Sequence, residues 1–87
     1  MSPYKLVLDY RAVEFLQRLG RNDQRHLHNR LVELSHYPHN LAHRPVRGES
    51  GREYFINAQG KFSIKYWIDE AVKEVRILDV QFFRFAP

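Results

Sequence analysis

Cysteine is missing from all 87 residues. Its absence excludes a disulfide scaffold and a cysteine-ligated zinc site, and it fits a reducing compartment. Glycine and proline number only four each, and no repeat, low-complexity tract or linker interrupts the chain. One domain over residues 1–87 is therefore expected, with one modest core. No apolar run approaches the length of a membrane span, and the opening "MSPYKLVLDY" has no signal-peptide core. The expectation is a cytoplasmic protein with no membrane partner.

What the chain does have is rings and positive charge. Aromatic residues reach 14%, which suits a small domain that must gain much from each buried side chain. Lysine and arginine total 14 against 10 acids, a net charge of +4. That balance points to nucleic acid or an acidic protein as partner without choosing between them.

The apolar spacing changes along the chain. "YKLVLDY" alternates and reads as a strand. In "RAVEFLQRLG", Ala12, Phe15, Leu16 and Leu19 fall at helical spacing, with Asp9 as the expected N-cap and Gly20 as a left-handed stop. Leu27, Leu31 and Leu34 mark a second helix, expected to start from Asp23 and to end before Pro38. Residues 39–51 show no period and read as an irregular loop. "REYFIN", "KFSIKYWID" and "KEVRILDVQFF" then form three strands at hairpin spacing, an antiparallel meander. The fold class is α+β: a strand, two helices and a three-stranded meander, with a helical hairpin covering one face of the sheet. The first strand joins the meander at an edge or in its middle.

In this order, "RAVEFLQRLG", "LHNRLVEL" before a proline, "VRGESGREYFIN", "GKFSIKYWID" and "EVRILDV" resemble the RelE/ParE superfamily of toxins from type II toxin–antitoxin pairs. The resemblance spans nearly the whole chain. It implies the RelE-like fold and a cognate antitoxin protein that wraps and blocks the toxin. RelE-like members cut mRNA in the ribosomal A site, whereas ParE-like members inhibit DNA gyrase. The expected function is thus a toxin that inhibits translation by ribosome-dependent mRNA cleavage. A gyrase inhibitor without nuclease chemistry, or a homologue that has lost activity, stands as the alternative.

Cleavage through the ribose 2′-OH needs a proton acceptor, cations for the phosphorane-like charge and a proton donor for the leaving oxygen. Such an endoribonuclease needs no metal or other cofactor if arginine and lysine supply the charge. RelE-like enzymes place these residues on the open sheet face. The matching candidates are Arg52, Lys61, Lys65 and Arg76, expected to converge there. Trp67 alternates with the same face and is placed to stack on an unpaired base. His43, Arg44, Arg47 and Arg84 are candidates for flanking phosphates. Past the last strand stand Gln81, Phe82 and Phe83 where a basic residue is usual, so the acid–base pair is unassigned.

Plainer roles compete at each position. Lysines on an open strand face also deter edge aggregation. Trp67 can pack, and Arg76 can pair with Glu74, Asp79 or Glu53. Tyr54 and Phe55 are expected in the core. His26 and His28 point apart on a helix, and no metal site is expected. The glycines of "VRGESG" are explained by a turn.

Overall fold

The computed structural model describes residues 4–48 and 50–83. Its elements are β1 (Lys5–Leu8), α1 (Tyr10–Arg18), α2 (Arg21–His36), β2 (Arg44–Arg47), β3 (Glu53–Gln59), β4 (Phe62–Asp69) and β5 (Glu74–Phe82). The strands form one sheet in the order β1-β5-β4-β3-β2. The meander β3-β4-β5 is antiparallel, as its spacing predicts, and β1 joins at an edge, parallel to β5.

Both helices lie on one face of this sheet. Leu27, Leu31 and Leu34 of α2 and Ala12 of α1 pack with Phe62, Ile64 and Tyr66 of β4 and with Val75, Ile77 and Val80 of β5. All are essentially excluded from solvent. The alternation in "KFSIKYWID" is therefore a real division of faces: its apolar members fill the core, while Lys65 and Trp67 stay partly exposed. Two polar bonds tie the core to the segment after α2. The Tyr66 hydroxyl donates to the Pro38 carbonyl at 2.7 Å. Buried Asn57 accepts from Arg30 at 3.1 Å and donates to the Leu41 carbonyl at 2.8 Å.

Four local expectations are corrected. Residues 44–47 are not loop but the edge strand β2, paired antiparallel with β3 from Arg44↔Ile56 to Arg47↔Glu53. Four residues are too few to show a period. Pro45, which has no N–H to give, is tolerated because the strand has a free edge. Gly20 does not end α1 in the left-handed region: its φ is −66°, and it is the N-cap of α2, which begins at Arg21. Asp9 does occupy the N-cap of α1, but its side chain makes no capping bond. Asp23 is not the N-cap of α2 but lies in its first turn. The last strand, β5, is irregular. Lys65 pairs with Asp79 but Tyr66 pairs with Ile77, so Leu78 is an extra residue, a β-bulge.

That bulge shifts the alternation. Before it, Val75 and Ile77 face the helices; after it, Val80 does. Phe82 follows on that side, stacked on Phe62 at 5.8 Å and tilted against Phe15 at 5.1 Å, yet half exposed. Among the described residues no helix is long and apolar enough to cross a membrane.

Candidate functional site

The face of the sheet away from the helices carries the candidate site. Its residues stand in cross-strand rows, because directly opposed residues of antiparallel strands share a face. One row runs Arg44, Ile56, Lys65 and Asp79 from β2 to β5. In the next, Trp67 pairs with Arg76, and Arg76 with Val7 of β1.

Trp67 is the centre of the second row. The Arg52 guanidinium lies over its ring at 3.9 Å from the centroid, and that of Arg76 at 5.8 Å. Such cation–π contacts hold the two arginines near each other despite their like charge. Arg76 is fixed further by Glu74, whose carboxylate accepts from its Nε at 3.1 Å and its Nη2 at 3.0 Å. One row along, the Lys65 ammonium sits 5.0 Å from the Tyr54 ring centroid. Tyr54 owes its position to Gly48, where a Cβ would overlap the tyrosine ring. Gly48 in turn belongs to the β2–β3 hairpin, closed by its N–H on the Arg52 carbonyl at 2.9 Å, with Gly51 at φ +80°. The glycines of "VRGESG" thus shape a turn, and the turn aims Tyr54 and Arg52 at the open face.

A cleft of about 610 Å³ opens beside the paired Lys65 and Asp79. Arg11, Arg47 and Lys65 line it with Tyr54, and Asp9 and Asp79 lie among them. Its cations favour an anionic ligand, and its carboxylates offer a proton acceptor beside them.

Three of the four expected catalytic candidates, Arg52, Lys65 and Arg76, are therefore brought to one face. Lys61 is not with them. It lies in the turn before β4, and its ammonium is bound to Asp23 of α2 at 2.8 Å. The alternation places Lys61 in phase with Lys65, but a turn residue need not follow the strand's pleat. Arg44 shares the Lys65 row, with Ile56 between them. Arg47 lines the cleft. His43 is spent on the sheet edge, its Nδ1 accepting the Ala58 N–H at 3.2 Å. Arg84 lies outside the described residues.

Asp79, Tyr54 and Arg11 join the site without a mark in the sequence. Tyr54 was expected in the core, but it stands beside Lys65 on the open face. The bulge that sets Asp79 opposite Lys65 leaves no mark in the apolar pattern. Arg11 looks like any solvated helix residue. A second cluster, at the end of the sheet beyond α2, is equally unmarked in the sequence. There Glu70 accepts from Lys73 at 3.0 Å, His39 at 2.8 Å and Tyr4 at 2.9 Å. These three donors, Lys73 foremost, hold its carboxyl at about 2, well below the usual range. Among the described residues no group of three or more histidines and acids is placed to hold a metal ion.

A mixed five-stranded sheet backed by two helices is a fold that this chain shares with solved structures of RelE toxins. The chain superposes on the RelBE2 toxin–antitoxin complex from Mycobacterium tuberculosis with a TM-score of 0.80 at 24% identity, covering 93% of this chain and 99% of that one. It is similar to the archaeal RelE–RelB complex from Pyrococcus horikoshii, with a TM-score of 0.75 at 17% identity over 97% and 99% of the two chains. The E. coli RelBE complex gives 0.74 at 21% over 94% and 99%. No protein-family model matches the chain, and no curated protein matches its sequence.

Proposed function

We propose that this chain is the toxin of a type II toxin–antitoxin pair, a cytoplasmic protein that inhibits translation by cutting mRNA on the ribosome. The observation that carries the proposal is the open sheet face, where Arg52 and Arg76 flank Trp67 and Lys65 stands one row away. Two arginines and a lysine on a preformed surface suit the charge that develops on a phosphate attacked by a neighbouring 2′-OH. In this reading Asp79, opposite Lys65, takes the 2′ proton, and the new bond leaves a 2′,3′-cyclic phosphate. The P–O5′ bond breaks, and the leaving 5′ oxygen takes a proton from the Lys65 ammonium in the same cleft. The neighbours of known fold are toxins seen with antitoxins, which supports a cognate antitoxin as the protein partner.

The test is purified protein added to ribosomes translating a defined mRNA, read by primer extension. Lys65→Ala and Arg76→Ala are expected to lower cleavage about 100-fold or more, the usual effect of removing one such donor, while each variant still folds and binds the antitoxin. Parent-like cutting by both variants would remove the site. Inhibition of gyrase supercoiling with mRNA left intact would replace the reading with a ParE-like one.

A further inference from the structure

On Arg76, one edge of the guanidinium is filled and the other is open. The group holds its N–H donors in one plane, where they form two forks. The side fork joins Nε–H to the nearer hydrogen of Nη2. The end fork joins Nη1 to the other hydrogen of Nη2. Glu74 takes the side fork: its Oε1 accepts from Nε at 3.1 Å and from Nη2 at 3.0 Å. Nη1 makes no hydrogen bond among the described residues.

The strand fixes this arrangement. Glu74 and Arg76 stand two apart on β5, before the bulge, so they share a face. The Glu74 side chain is 19% exposed, whereas that of Arg76 is 44% exposed. The carboxylate is thus the shielded end of the pair, and the guanidinium is the end that meets solvent. Trp67, opposite Arg76 on β4, takes both Arg76 and Arg52 over its ring. Two guanidinium groups against one ring repel each other, and Glu74 supplies the negative charge that offsets this.

A carboxylate so close to an anion site has two opposite uses. As a plain charge it repels RNA. As a clamp it stops the guanidinium turning, so the end fork meets a phosphate already aimed. The bond pattern favours the clamp. Two N–H bonds hold the group more firmly than one, and they leave a complete fork, the geometry that takes two phosphate oxygens side by side. We infer that Glu74 is a positioning residue: it holds the side fork of Arg76 so that the end fork is presented to the phosphate under attack. The inference rests on the RNA-cutting reading above and deepens it.

The experiment compares Glu74→Ala with Glu74→Gln. Both remove the same charge, but glutamine keeps an oxygen for Nε and Nη2. Cleavage of ribosome-bound mRNA is measured at a temperature where both variants are folded. Glu74→Ala should lower kcat about 10-fold, part of the roughly 100-fold that a misplacement of about 1 Å can cost, with KM no higher than the parent's. Glu74→Gln should restore most of that loss. Equal losses in the two variants, a raised KM with kcat unchanged, or a parent-like Glu74→Ala each overturns the clamp.

A second measurement needs no cleavage. The Arg76 Nε–H signal in NMR, assigned by its loss in Arg76→Ala, should be protected from exchange in the parent and in Glu74→Gln, and exposed in Glu74→Ala. Inorganic phosphate should leave the signal in place, because it takes the end fork. A signal released by phosphate would mean that the ligand displaces Glu74, and the clamp falls. The two readings fail separately. A parent that cuts no mRNA but keeps the phosphate-resistant signal removes only the nuclease. A parent that cuts, with a signal as exposed as in Glu74→Ala, removes only the clamp.

Discussion

Tyr66→Phe removes one oxygen atom from the centre of the molecule. The ring stays, so the packing against Phe55, 5.8 Å away between centroids, is kept. What is lost is the 2.7 Å bond to the Pro38 carbonyl, and that carbonyl belongs to a buried residue. A net hydrogen bond contributes about 0.5–1.5 kcal/mol, and a buried acceptor left without a donor costs about 1–3 kcal/mol. A loss of about 1.5–2 kcal/mol is expected, which lowers Tm by roughly 8–12 °C in a domain of this size. A second signature lies in alkali. Burial pushes the Tyr66 phenol up from its ordinary 10.0. The folded protein therefore keeps the proton while the unfolded chain gives it up, so parent stability falls as pH rises above about 10. In Tyr66→Phe this part of the fall disappears. The assay is thermal and urea unfolding between pH 7 and 11. A Tm within a degree or two of the parent at pH 7, with an unchanged alkaline slope, would refute the reasoning that this hydroxyl anchors the segment after α2.

Three other outcomes follow from single contacts. Lys61→Ala breaks an ion pair whose lysine side chain is 59% exposed, so it should cost less than about 1 kcal/mol and leave the proposed mRNA cleavage unchanged. Glu70→Gln tests the depressed carboxyl: its folded value near 2 lies below the ordinary 4.5, so the parent loses that stabilisation as pH falls from about 4.5 toward 2. The variant should show a flatter urea midpoint over that window. Gly48→Ala should push Tyr54 off its seat, cost roughly 1–3 kcal/mol and lower Tm, and Gly48→Ala with Tyr54→Ala together should cost less than the two separately.

The parts of the fold legible in the sequence are those with enough residues to show a period. Leu27, Leu31 and Leu34 gave the second helix, and Phe62, Ile64 and Tyr66 gave the central strand, because burial repeats every turn or every second residue. β2 escaped because four residues at a sheet edge carry no repeat and one of them is proline. Lys65, Trp67, Arg52 and Arg76 were legible as a set because three lie on paired strands and the fourth directly precedes one. Lys61 was misplaced because a pleat was extended into a turn. Asp79 and Tyr54 depend on a bulge and on a glycine contact, and both are set by partners distant in the chain. The Glu70 cluster joins residues 4, 39 and 73, a convergence that no local pattern encodes.

Leu78 acts on β5 as a single inserted letter acts on a reading frame. Upstream of it, even-numbered residues such as Arg76 belong to the open face; downstream, that face passes to the odd-numbered Asp79 and Gln81. A gapless alignment of this chain with a relative that has a straight last strand would therefore match core positions to surface positions over the whole strand end. Equivalent chemistry in such a relative would stand one position earlier. Deleting Leu78 would keep Asp79 and Gln81 on the open face and Val80 in the core, whereas straightening β5 with every residue kept would turn Asp79 and Gln81 inward and Val80 outward.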